Sequence, residues 1–503
     1  MSSATRPTSG PCAPSSVSEL DLVVKGGTVV TAADTFAADV GIVDGVVVAL
    51  GRGLEGDEVI DATGKLVLPG GIDSHTHIEQ LSSAGVMNAD DFHSATVSAA
   101  FGGTTTTMSF AAQHRGMAIP DVVAEYHDRA APKAVIDYAF HLIMSDPTPE
   151  ALGEHLPAAV AQGIPSVKLY MTYDRLRCTD DQILDVLSAA RAQGALTMVH
   201  AENHDMIGWM SNRVVGAGNT LPRYHAACHT RGAEAEAINR VIALAELVDA
   251  PILVVHVSTI EGIEEIRRAR ARGLKVYGET CPQYLFLTAD DLDRDGLDGA
   301  MFCCSPPPRD EFAQEACWAG LADTTLSVYS SDHSPFRHDH TGKLPKGTET
   351  TFKDIANGVP GLELRLPMLF THGVGAGRMT LAEFVRLTAT NHAEIYGLHP
   401  RKGTIAVGSD ADLAIWDPDH EVTITHEMIH DNVGYTPFAG HELKGWPTTV
   451  LSRGEVIIAG GEMHAERGRG QFLARGPSPA SQPLGRQIPE LDMMDRWGTP
   501  FRP

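Results

Sequence analysis

The sequence predicts an α/β protein, a (β/α)8 TIM-like barrel set between two β-rich segments. From Leu66 to about Tyr396, short strands that are almost continuously apolar or β-branched alternate with helical stretches, as in a parallel sheet covered on both faces. On either side, the text changes to apolar runs broken by turn dipeptides, the pattern of antiparallel sheet. Alternation alone also admits a doubly wound sheet, but a count of eight strands favours the barrel.

The elements follow in order. Residues 1–20, rich in Ser, Pro and Thr, are expected to form a disordered tail, without the apolar run of a signal peptide. Residues 21–68 are expected to form sheet, where Asp44-Gly45 between two Val-rich arms gives a type I′ hairpin. Residues 69–399 carry the barrel, whose strands are LVLPGGID (beginning just ahead of the boundary), TTTTMSF, VIDYAFHLIM, SVKLYM, LTMVHA, PILVVHVS, LKVYGET and TLSVYSS. Among the helices, TDDQILDVLSAARAQGA opens on a Thr179/Gln182 capping box and closes on Gly194. Residues 400–475 return to hairpin patterning, and periodicity does not decide whether they pair with the first β-rich segment. Residues 476–503 are Pro-rich and expected to form an extended arm.

Composition narrows the function. Lys+Arg is 39 against 64 Asp+Glu, a net charge of −25 that repels phosphate backbones and anionic lipid. Neither nucleic acid nor membrane is expected as a partner, and no run approaches the ~18 apolar residues of a membrane span. The seven cysteines form neither a disulfide framework nor a CxxC metal pattern, which fits a reducing, cytoplasmic compartment.

The strongest local signal is Gly70-Gly71-Ile72-Asp73-Ser74-His75-Thr76-His77, at the end of the first barrel strand. Residues two apart on an extended segment point the same way, so His75 and His77 can share a cation. Barrel chemistry is built at the C-terminal strand ends, and further ligand types recur there: Lys168, His200, His256 and Asp332. An ammonium inside a parallel strand is costly. With its pKa depressed, the Lys168 amine can capture carbon dioxide as a carbamate, whose two oxygens could bridge two cations sharing a nucleophilic hydroxide. Asp332 would then be both a ligand and the acid/base serving the leaving nitrogen.

HTH after GGID, SVKLYMTY, VHAEN, VVHVST, GETCPQYL, CSPPPR, SDHSPF, NGVPGLELR and ATNHAEIYGLHPRKGTIAVGSDADLAIWDP, in that order, resemble the dihydropyrimidinase and hydantoinase branch of the amidohydrolase superfamily over residues 21–475. The resemblance implies a hydrolase opening the cyclic amide of dihydropyrimidines or 5-substituted hydantoins to N-carbamoyl amino acids. It implies a binuclear centre of His75, His77, Lys168 as N-carboxylysine, His200, His256 and Asp332, usually holding zinc. It matches Tyr173 to the oxyanion-stabilising tyrosine, and Ser305 and Asn357 to positions whose main chain binds the substrate's amide edge. It further implies a composite β-sandwich from the two β-rich segments, and a homotetramer. An allantoinase-like or other cyclic imide hydrolase keeps the same site, and a non-catalytic scaffold relative would lack these ligands.

Three positions depart from the branch's pattern. Glu79 stands where dihydroorotases carry a carboxylate-binding Arg, which argues for an uncharged cyclic ureide or imide as substrate. Ser82 and Arg177 stand where bulky apolar or aromatic residues are common around the exocyclic substituent, so a small or polar substituent is as well matched as a large aromatic one.

Overall fold

A computed structural model of the chain describes residues 20–82 and 84–499. The expected tail lies outside these residues, except that Leu20 opens the strand Leu20–Lys25. Eight parallel strands, neighbours in chain order, form the central sheet: β1 (Gly71–Thr76), β2 (Thr104–Ala112), β3 (Asp137–Ile143), β4 (Ser166–Tyr170), β5 (Leu196–His200), β6 (Ile252–Val254), β7 (Val276–Thr280) and β8 (Val328–Tyr329). Thr76 bridges His333, just past β8, so the two ends of the sheet meet and close the barrel. Seven of the strands, all but β7, are buried at every residue, as their continuous apolar and β-branched text requires.

LVLPGGID is not one strand. It divides at Gly70 into Leu66–Pro69, which pairs with Leu413–Thr423 outside the barrel, and β1. The cause is steric and local: a Cβ at Gly70 would lie 2.2 Å from Thr105 Oγ1, so only glycine lets the chain cross from one sheet to the other there. The barrel still has eight strands, because β1 begins at Gly71.

The two β-rich segments form two further sheets. One has four strands built around Leu20–Lys25, and one has seven strands, in which a block from the C-terminal segment joins a block from the N-terminal one where Leu413–Thr423 pairs with Leu66–Pro69. Leu22, Val24, Val40, Ile42, Val67, Leu413, Ile415 and Leu451 bury one shared core between them, which makes a sandwich. Asp44 and Gly45 both have positive φ, 50° and 75°, as the type I′ hairpin demands. The helix Asp180–Gln193 carries both halves of its Thr179/Gln182 capping box, and Gly194 closes it with φ 66°.

The segment after residue 476 departs from the expected extended arm. It lies along the barrel, where Gly485 and Arg486 donate their N–H groups to Asp249 at 2.7 and 3.1 Å, and it ends in a helix, Pro489–Arg496. Pro at the helix start, Glu490 and Asp492 in the first turn and Arg496 in the last agree with the helix dipole, and this outweighs the Pro-rich composition. All six described cysteines are buried and free, and no helix among the described residues is long and apolar enough to cross a membrane.

Candidate metal centre

Strand ends bring the ligand types to one mouth. His75 sits at the end of β1 and His77 one residue beyond it, Lys168 lies within β4, His200 ends β5, and His256 and Asp332 follow β6 and β8. The ligand atoms of His75, His77 and Asp332 lie within 4.8 Å of one another. Asp332 Oδ1 is 3.1 Å from His75 Nε2 and 3.4 Å from His77 Nε2. Ring centroids of His75 and His256 are 5.5 Å apart, and those of His200 and His256 4.4 Å. Phe110 packs against both His75 and His77, and Lys168 Nζ stands 5.0 Å from the centroid of the same ring. The structure therefore brings all six predicted side chains together.

What these groups lack is as informative as what they touch. His75 Nε2, His256 Nδ1 and Lys168 Nζ are buried and make no hydrogen bond, although buried polar atoms are normally satisfied. Three orphaned nitrogens facing one carboxylate fit a cation-binding centre. Burial pushes the Lys168 ammonium down to about pKa 8, against the opposing pull of Glu279 and Asp332. A fraction of neutral amine at neutral pH is what carbamate formation needs. Burial works against ionisation of Asp332, yet the imidazoles of His75 and His77 hold its carboxyl well below the usual range.

Backbone strain sits at the same place. His256, Asp332 and Tyr173 have φ of 41°, 50° and 72°, in the left-handed region that side chains other than glycine seldom occupy. The barrel frame holds them there. Asp73 accepts from the N–H groups of His75 and Ser331 at 3.1 and 3.2 Å, and the buried Arg365 guanidinium lies 3.3 Å from its other oxygen. One buried ion pair thus fixes both the first ligand and the loop carrying the last.

Sequence reasoning missed the groups that orient the imidazoles. Glu279, the last residue but one of β7, lies 2.6 Å from His75 Nδ1 and accepts the His256 N–H at 3.1 Å and the Ser330 hydroxyl at 2.9 Å. A carboxylate on the outer nitrogen of a histidine fixes its tautomer and raises its basicity toward a cation. Glu202 does the same for His200 at 2.8 Å and is itself 2.8 Å from His229 Nδ1. Gln80 serves His77 at 2.8 Å. The signal for Glu279 was present, since GETCPQYL places it at the strand end the other ligands share. His229 carried no such signal, because it comes from a helix–helix turn.

A cavity of about 580 Å³ opens over the centre. Tyr173 lines it beside the side chains of Ser305 and Asn357, and burial pushes its phenol pKa up, so the hydroxyl keeps its proton. Farther out, the wall is mixed, with Ser82, Arg175, His204 and Lys353 alongside Ile207, Phe336 and Phe352. Ser82 thus faces the cavity, as its sequence position suggested, and Arg177 does not: it turns toward Asp205, at 3.8 Å. Glu79 also points elsewhere, with its carboxylate 2.6 Å from Lys133 Nζ and accepting the Phe92 N–H. It cannot repel a substrate carboxylate as expected, because a local cation neutralises it outside the cavity.

Comparison with known proteins agrees with this geometry. Residues 66–457 match the amidohydrolase family. The chain is 43% identical to a D-hydantoinase of Rhizobium radiobacter over 458 residues, covering 91% of this chain and 99% of that one. It is 42% identical to a D-hydantoinase of Geobacillus stearothermophilus, over 90% and 96% of the two chains. The crystal structure of a dihydropyrimidinase from Brevibacillus agri superposes with a TM-score of 0.88 at 41% identity, over 91% and 99% of the two chains.

Proposed function

The chain belongs to the amidohydrolase family, in its hydantoinase and dihydropyrimidinase branch, and from this premise we propose that it hydrolyses the ring amide of dihydropyrimidines or 5-substituted hydantoins to N-carbamoyl amino acids. The observation that carries the reading is the set of orphaned, buried nitrogens of His75, His256 and Lys168 around Asp332. His75, His77, Lys168 as its carbamate, His200, His256 and Asp332 would hold two divalent cations, zinc by family resemblance. Bound there, the cations would polarise the ring carbonyl and acidify the water they share into a nucleophile at neutral pH.

The chain's own groups do the rest. Tyr173, keeping its proton, donates a hydrogen bond to the oxygen that gains charge as the carbonyl becomes tetrahedral. Asp332, ionised at rest, takes the proton of the attacking water and returns it to the ring nitrogen as the C–N bond breaks. The main chains of Ser305 and Asn357 hold the amide edge, so that the ring carbonyl faces both Tyr173 and Asp332. The sandwich domain and the 476–499 segment frame the barrel without entering the cavity, and a homotetramer in the cytoplasm is the assembly and compartment the family resemblance favours.

Assaying ring opening of dihydrouracil, hydantoin, 5-phenylhydantoin and allantoin, with metals counted on the same sample, tests the reading. Turnover of at least one of the first three, abolished by a chelator and restored by divalent cation, is expected. Hydrolysis of allantoin alone, or chelator-insensitive turnover, would overturn it.

A further inference from the structure

Ser305 and Asn357 lie on two separate loops, and the group that fixes the gap between them belongs to neither. Lys343 is fully buried, and its Nζ donates to the carbonyls of Cys303 at 2.8 Å, Ala356 at 2.9 Å and Gly358 at 2.5 Å. The first carbonyl belongs to the Ser305 loop, and the other two bracket Asn357. An ammonium has three protons, and here each meets one acceptor. The Gly358 N–H adds a direct bond between the loops, to Cys303 O at 3.0 Å. No carboxylate among the described residues pairs with Lys343, and beyond the three carbonyls the ring of Phe336 lies 5.9 Å away. A buried cation without a counter-ion is a costly way to fill space, so what it supplies is the fixed separation of three carbonyls.

We propose that Lys343 is a positioning residue that sets the spacing of the Ser305 and Asn357 main chains and thereby grips the substrate's amide edge. The inference rests on the reading that these two loops bind the ring amide. It predicts that losing the ammonium loosens substrate binding while leaving the cation ligands, which sit on other strand ends, in place.

The test uses the metal-loaded, full-length protein with dihydrouracil and its N1-methyl derivative, which lacks one edge N–H but keeps the bond that breaks. In the unaltered protein, the methyl derivative should show a KM roughly tenfold higher, the scale of one lost hydrogen bond in a closed site. In Lys343→Met, the KM for dihydrouracil should rise about tenfold or more, and the two substrates should become nearly equal. Its kcat should change less than about threefold, with metal content unchanged. If folded Lys343→Met keeps the original KM and discrimination, whatever its stability, Lys343 is merely structural and the proposal fails while the loop reading stands. If the unaltered protein does not discriminate, the loop reading itself fails and takes the proposal with it. Should Lys343→Met not fold, Lys343→Gln retains two donors, and a partial rise in KM is expected; an unchanged KM overturns the proposal.

Discussion

Lys168 concentrates the account in one side chain: buried in a parallel strand, without a hydrogen bond, and lowered to about pKa 8 by that burial. Lys168→Ala should abolish measurable turnover and most metal content, read by activity and metal analysis on the same sample; full activity with both metals present would end the carbamate assignment. Glu279→Gln tests the layer behind. Removing the charged acceptor from His75 Nδ1 should weaken cation affinity about 10- to 100-fold, measured by competition with a chelator. All six candidate side chains were legible in the sequence, because each stands within, at or just past the end of an apolar strand, where a polar residue is out of place. Glu202 and His229 were not, because their partnership with His200 exists only once a turn after β5 folds back over the barrel mouth. Arg177 and Glu79 misled for the same reason: sequence position places a Cα, whereas the side chain follows the nearest opposite charge, Asp205 for one and Lys133 for the other.

The barrel strands were read in the right number and order, since burial on both faces leaves nearly continuous apolar text, though two of them, Ile252–Val254 and Val328–Tyr329, are shorter than that text. Hairpin and helix termini were equally legible, because Asp44-Gly45 and Thr179/Gln182 state their geometry in local chemistry. The break at Gly70 was not, because nothing local distinguishes a glycine inside a strand from one that passes between two sheets; the deciding atom is Thr105 Oγ1 on the next strand. Gly70→Ala should therefore push β1 away from β2 and carry His75 and His77 with it. A loss of about 1–3 kcal/mol in unfolding free energy, with reduced metal content, is expected by denaturant titration and metal analysis. Unchanged stability would mean that the crossing tolerates a side chain.

Barrel and sandwich are joined through a buried charge cluster. Lys402 Nζ lies 2.8 Å from Asp137 on β3 and 2.6 Å from Asp412 at the edge of the sandwich. Burial disfavours this ammonium, but Asp412, Asp137 and Asp410 override that and raise its pKa. Lys402→Met would leave Asp137 and Asp412 without it and should cost about 3–5 kcal/mol, seen as a lower denaturation midpoint, because breaking a buried pair strands its partners. The largest-scale expectation from sequence, a composite sheet from both flanks, came from family resemblance, since two distant segments with the same periodicity carry no record of pairing. The proposed chemistry rests on six side chains, carried by five of the barrel strands, being able to hold two ions. Anomalous X-ray scattering from crystals of the metal-loaded protein tests this most directly. The account predicts two peaks about 3.5–4 Å apart, bridged by a carboxylated Lys168; a single peak, or peaks away from Asp332, would contradict it.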